Sequence, residues 1–150
     1  MRIKHFGGTE YANNISEFSE ILQKRYGNDV NEFWITNDTQ DNPCLVILVN
    51  KEMANITYFP DGESLGFQSV GCQTGQTNEY CIFYTNTPEE EIEISRDSII
   101  SVNKAFEAAK KFFINVKCQI ILNGLKIKGL QFSGGGFPYL SCLYIGRVGA

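Results

Sequence analysis

Four carboxylates crowd into five positions of this chain: Glu89, Glu90, Glu91 and Glu93. Paired carboxylates are the apparatus of glycoside hydrolysis, but that chemistry needs two of them facing a cleft with separated pKa values. A run of acids along a strand edge is more commonly a solvated face, and it also guards the edge against pairing. Nucleophilic catalysis needs a nucleophile, a base and an orienter. The single histidine, His5, would meet a Cys or Ser partner only by tertiary coincidence, and it reads as an ordinary terminal residue.

Metal and phosphate chemistry fare no better. The five cysteines (Cys44, Cys72, Cys81, Cys118 and Cys142) form no C-x-x-C pair, and one histidine cannot complete a zinc site. Their apolar neighbours make them read as reduced, buried thiols, in keeping with a cytoplasmic chain rather than a disulfide framework. Asp38-Thr39-Gln40-Asp41-Asn42 is oxygen-rich but lacks the Gly turn and distal Glu of a calcium loop. Gly134-Gly135-Gly136 is not followed by Lys and Ser or Thr, and Gly66 and Gly71 fit no dinucleotide fingerprint. No catalytic residue, metal or cofactor is expected, and the chain does not read as an enzyme.

What remains is recognition. Net charge is −4, which argues against direct nucleic-acid binding. The distribution is lopsided: residues 1–100 carry 6 Lys/Arg against 16 Asp/Glu, and residues 101–150 carry 7 against 1. Acids at Asp38, Asp41, Asp61, Glu63, Glu79, Glu89, Glu90, Glu91, Glu93 and Asp97 would present a negative surface that speeds encounter with a basic partner. Phe67, Tyr80 and Tyr84 are candidate anchors within it. The competing reading makes the acids ordinary solubilising groups and the aromatics core.

These residues need elements to position them, and 150 residues suffice for one domain with a real core. Asn13 or Asn14 caps a helix over Ile15–Arg25, with Glu17 answering the cap and Gly27 ending the segment. Ile15, Phe18, Leu22 and Tyr26 form its apolar stripe. Residues 31–36 read as a short strand. Cys44-Leu45-Val46-Ile47-Leu48-Val49 is continuously apolar, as expected of a strand covered on both faces. Residues 55–59 follow as a strand, turned at Asp61-Gly62, and 65–71 resume as a strand whose glycines signal a bulge or close backbone approach.

A polar loop at 73–78 leads to a strand at 79–85, with Tyr80, Ile82 and Tyr84 on one face and Cys81 and Phe83 on the other. In 90–94 the acids point out and the isoleucines in. Ser101 caps a second helix whose buried stripe is Val102, Ala105, Phe106, Ala109, Phe112 and Phe113, with Lys110 and Lys111 in the last turn. Strands are expected at 118–122, 125–132 and 137–145, with Asn123-Gly124 a hairpin turn and 133–136 a loop. The fold class is α+β: an antiparallel β-meander with two amphipathic helices packed on it and a C-terminal β-hairpin extension. The start of the chain has no apolar leader and no run is long enough to span a bilayer, so no membrane association is expected.

The run Tyr58-Phe59-Pro60, then Gly66-Phe67-Gln68-Ser69-Val70-Gly71, resembles the central motif of the Immunity protein 1 family. These are bacterial proteins that neutralise the toxin domains of polymorphic-toxin and contact-dependent inhibition systems. Glu17 and Leu22 in the first helix, the Pro43–Val49 strand, Glu91-Ile92-Glu93-Ile94, Ile99-Ile100-Ser101 and the 105–113 helix extend the similarity over about residues 15–122. The chain departs at its end, where Leu122-Asn123-Gly124 stands in place of a common Trp and residues 125–150 are extra. The resemblance implies a cytoplasmic antitoxin that binds a toxin's C-terminal catalytic domain, a nucleic-acid-targeting deaminase or nuclease, and occludes its active site. It carries no catalytic or contact residues over to this chain. The alternative is a stand-alone α+β domain binding a small ligand near the glycine-punctuated strand. A neighbouring toxin gene favours the first reading, and a small molecule retained on purification the second.

Overall fold

A computed structural model describes residues 1–71, 79–114 and 127–129 of the chain. The architecture is α+β, a mostly antiparallel sheet with two helices. In chain order the elements are β1 (Arg2–His5), β2 (Gly8–Tyr11), α1 (Ile15–Leu22), β3 (Val30–Thr36), β4 (Cys44–Asn50), β5 (Met53–Phe59) and β6 (Phe67–Ser69). Then come β7 (Tyr80–Tyr84), β8 (Glu91–Ser95), β9 (Ile100–Ser101), α2 (Val102–Ile114) and β10 (Ile127–Gly129). The main sheet runs β10-β6-β5-β4-β3-β1-β2, with β9 also paired to β5, and β7 and β8 form a separate hairpin.

The sheet is built around β4. Its odd-numbered side chains, Leu45, Ile47 and Val49, join Phe33 and Ile35 of β3 and Ala54, Ile56 and Tyr58 of β5 in the core under the helices. Strand periodicity sends its even-numbered side chains to the opposite face. There Leu48 packs with Phe83 and Ile94 of the β7–β8 hairpin. The continuous apolar run is therefore covered on both sides, and Cys44 to Val49 are all buried.

Local chemistry sets both helices. Asn14 Oδ1 accepts from the Glu17 N–H at 2.9 Å, and Glu17 Oε2 accepts from the Asn13 N–H at 2.8 Å. This reciprocal cap contributes about 1 kcal/mol. The helix ends at Leu22, short of Arg25: Tyr26 and Val30 exchange backbone hydrogen bonds, and Asn31 and Arg25 side chains take the carbonyls of Lys24 and Leu22. In α2 Val102, Ala105, Phe106, Ala108, Ala109 and Phe112 are buried, and Phe113 packs on Phe18 with ring centroids 4.9 Å apart. Lys111 alone of the two lysines falls in the last turn.

Other expectations need correction. The first eleven residues form the β1–β2 hairpin, which extends the sheet beside β3. In β8 Ile94 is buried but Ile92, although opposite the buried Phe83, is 37% exposed and lies outside the cluster of Leu48, Phe83 and Ile94. The strand at 65–71 shortens to Phe67–Ser69. A loop at 73–78, strands at 118–122 and 137–145, the Asn123-Gly124 turn, the 133–136 loop and the C-terminal hairpin lie outside the described residues. Within the 125–132 strand, Ile127–Gly129 pairs antiparallel with β6.

The expected close approach is at Gly71. Its N–H donates to the Asp97 carbonyl at 2.6 Å, and a Cβ there would sit 1.9 Å from the Ile99 carbonyl oxygen. Gly66 adds a φ of +92° under the Phe59 ring. Gly71→Ala must displace the Ile99 backbone and should destabilise the protein by more than about 2 kcal/mol. Gly62→Ala, 3.4 Å from one flexible Asn42 side chain, should cost far less. Chemical denaturation of the two variants checks the contrast.

Hydrogen bonds from Lys24 (2.6 and 2.7 Å) and His5 (2.5 Å) hold the Glu10 carboxyl below the usual carboxylate range. A folded pKa below the unfolded one gives stability that is present above the unfolded value and lost as pH falls through the folded value. Glu10→Gln should therefore lower Tm near neutrality and flatten its fall between about pH 6 and pH 3, measured by thermal melts across that window.

Candidate functional site

The acidic hairpin is the feature with the form of a recognition surface. Register pairs Tyr80 with Ser95, Ile82 with Glu93 and Tyr84 with Glu91. Strand alternation puts these six on one face, opposite the buried Phe83 and Ile94. Tyr80 is 58% exposed and Ile82 36%, while Glu91 and Glu93 are exposed beside them. Glu79 stands at the open end, its charge met by Arg96 at 2.7 Å. Glu89 and Glu90 lie in the turn, where Glu90 accepts from Asn86 Nδ2 at 3.1 Å.

A buried carboxylate fixes this hairpin. Glu32 of β3 is only 6% exposed, and its two oxygens accept from the Thr85 hydroxyl at 2.8 Å and the Asn86 N–H at 2.9 Å. Asn50 Nδ2 donates to the Ile82 carbonyl at 2.8 Å. At the open end, Asn55 Nδ2 donates to Ser98, Ser69 Oγ donates to the Ser98 carbonyl at 2.6 Å, and Gly71 meets Asp97. Both ends of the hairpin are thereby tied to the main sheet.

The predicted acids do not form one surface. Glu79, Tyr80, Glu91 and Glu93 come together with Glu89 and Glu90 on or beside the hairpin. Asp38 and Asp41 lie in the β3–β4 loop, at the opposite end of β3 from the hairpin turn. There they are engaged by the chain's N-terminal ammonium (2.6 Å) and by Arg2. Asp61 and Glu63 lie in the β5–β6 loop at that same far end, and Asp61 Oδ1 is occupied by the N–H groups of Glu63 and Ser64 at 2.9 and 2.7 Å. Phe67 is opposite Tyr58 in register and packs against the helix-side core, its ring stacked on Tyr58. It is not on the hairpin face. Spacing alone could not tell which side of β6 it occupies.

His5 is likewise no ordinary terminal residue. It is buried, stacked on Tyr26, with Nδ1 accepting from the Gly7 N–H at 3.0 Å, so that Nε2 donates to Glu10. Burial pushes the Cys44 thiol up to about 11, which leaves it a small hydrophobe rather than a nucleophile. Cys44 and Cys81 are free thiols, and Cys72, Cys118 and Cys142 lie outside the described residues. Among the described residues no three His, Cys, Asp or Glu side chains converge as a metal site. None of their helices is long and apolar enough to cross a membrane.

Sequence reasoning missed a second exposed group. Trp34 (40% exposed), Tyr11 (59%) and Phe59 lie on the same side of the sheet as the hairpin, with Trp34 and Phe59 rings parallel within 3° and 6.5 Å apart. A shallow hollow beside them is lined by Arg2, Lys4, Thr9, Tyr11, Trp34 and Thr36. Another lies by Asn28, Asp29, Val30, Asn50, Lys51 and Tyr84. Neither is lined by the glycine-punctuated strand.

No family model matches the chain. It is 31% identical over 108 residues to a double-stranded DNA deaminase immunity protein of Burkholderia cenocepacia (strain H111), a match spanning 72% of this chain and 85% of that protein. The chain belongs to that immunity protein's family. The acidic and aromatic face of the hairpin is mounted on Glu32. Removing its mount should show. Glu32→Ala leaves the Thr85 hydroxyl and Asn86 N–H without their acceptor and should cost about 1–3 kcal/mol. Amide exchange should accelerate at residues 82–86 and 90–94 ahead of β4. Hydrogen-exchange mass spectrometry reads both.

Proposed function

We propose that this chain is an immunity protein that binds a nucleic-acid-targeting deaminase toxin and neutralises it by covering the catalytic site. The observation that carries the reading is the relationship to an immunity protein named for a double-stranded DNA deaminase. The partner is the C-terminal catalytic domain of a toxin from a polymorphic-toxin or contact-dependent inhibition system. The complex is stoichiometric and cytoplasmic, and its logic is that of the Immunity protein 1 family.

The hairpin suits that task. An enzyme acting on nucleic acid presents a basic surface to phosphates. A base deaminase must also draw its target out of the stack into a pocket, so blocking the strand's path is enough to stop it. Glu91 and Glu93 project from one face of β8 about 6.6 Å apart, two residues along a strand. Glu89 and Glu90 continue the charge into the turn. Such a face steers a basic partner electrostatically, while Tyr80 and Ile82 supply apolar area that holds it once docked.

The test uses the catalytic domain of the toxin encoded beside this chain's gene. Co-expression should suppress the deaminase's mutagenic effect in cells, and the two proteins should co-purify one to one. The double variant Glu91→Gln/Glu93→Gln, exposed and fold-neutral, should slow association about fivefold at low salt and much less at high salt. No complex at either salt with an active toxin domain would sink the proposal.

A further inference from the structure

Resting on the toxin-binding reading, we infer that the toxin's footprint runs off the acidic hairpin onto the half of the sheet that the described residues leave open, at β3, β1 and β2, where Trp34 is its anchor. The hairpin alone is too small. Two five-residue strands offer a face of roughly 17 by 10 Å. A stable complex needs about 800 Å² from each partner. The missing area must adjoin the hairpin.

The sheet supplies it on the same side. Register aligns Glu32 with Leu48 and Asn55, and two residues along aligns Trp34 with Val46 and Thr57. Glu32 and Leu48 lie under the hairpin, so Trp34, two residues along β3, lies beside it on the same side of the sheet. Val46 is buried while Trp34 is 40% exposed and parallel to Phe59. Trp34 stands beside the exposed Lys4, Thr9 and Tyr11, and Trp and Tyr are enriched among interface anchors. Tyr11 extends the patch across β1 to β2.

Charge sets the chemistry of the occupant. The hairpin is acidic, but the open half carries Lys4, exposed, and Arg2, tied to Asp41. A partner matching both is basic where it meets the hairpin. Across the open half it presents an apolar or aromatic element with a carboxylate beside it. That sign reversal along one face fixes the partner's orientation.

The experiment measures binding kinetics of the neighbouring-gene toxin domain to wild type, Trp34→Ala and Lys4→Glu, with circular dichroism confirming fold. Trp34→Ala should weaken binding at least about tenfold, through faster dissociation that salt does not rescue. Lys4→Glu, on an exposed side chain, should weaken it about fivefold. Loss in either, in a folded protein, sustains the inference. Wild-type binding with Lys4→Glu and any folded Trp34→Ala both within twofold overturns it and leaves the toxin reading standing. Absence of wild-type binding defeats that reading itself. A homodimer of the free chain that Trp34→Ala dissolves assigns the patch to a second copy and also overturns it.

Discussion

A strand with no polar face dictates the layout of this protein. Residues 44–49 carry nothing that tolerates water on either side, so both faces of β4 must be covered. Two helices do this on one side. On the other, α2 cannot be in two places, and the chain sends a two-stranded hairpin across instead. Of residues 44–49, the apolar cluster under the hairpin takes in Leu48. Farther along, Val46 is buried opposite Trp34 in register, and Trp34 and Phe59, with parallel rings, remain partly exposed themselves. The core requirement and the exposed aromatics have the same origin.

The hairpin's dependence on the sheet explains the polar groups beneath it. A two-stranded ribbon is marginal alone, and the apolar cluster holding this one is small. Hydrogen bonds from both its ends compensate: Glu32 with the turn, Asn50 with β7, and the Asn55, Ser69 and Ser98 group at the open end. Buried polar atoms of this kind specify one docking geometry, since a shifted hairpin would leave them unpaired. Among the described residues, no buried side-chain polar atom lacks a partner.

Much of this was legible in the residues. Asn14 and Glu17 announced the first cap, the 102–113 stripe its helix, and the unbroken apolar run its two-sided burial. The hairpin's inward and outward faces followed from Phe83 against Tyr80 and Ile82. Other features depended on contacts that no local pattern carries. Arg2-Ile3-Lys4-His5 alternates over too few residues to stand out from an ordinary terminus, though Gly7-Gly8 marks its turn. Asp38, Asp41 and Asp61 looked free because nothing in their neighbourhood names the ammonium, guanidinium and turn amides that occupy them. Which side of β6 Phe67 takes depends on its register with Tyr58. Trp34 escaped notice between Phe33 and Ile35, where only the pairing of β3 shows that it points away from the helices.

The alternation of β7 and β8 has a further consequence for how such a protein changes over generations. Residues facing the sheet and residues facing outward are interleaved one by one, and they answer to different demands. Phe83 and Ile94 must fit Leu48 whatever the partner, whereas Tyr80, Ile82, Glu91 and Glu93 touch little of the fold. Substitutions at every second position can thus remodel the exposed face while the intervening ones keep the scaffold still.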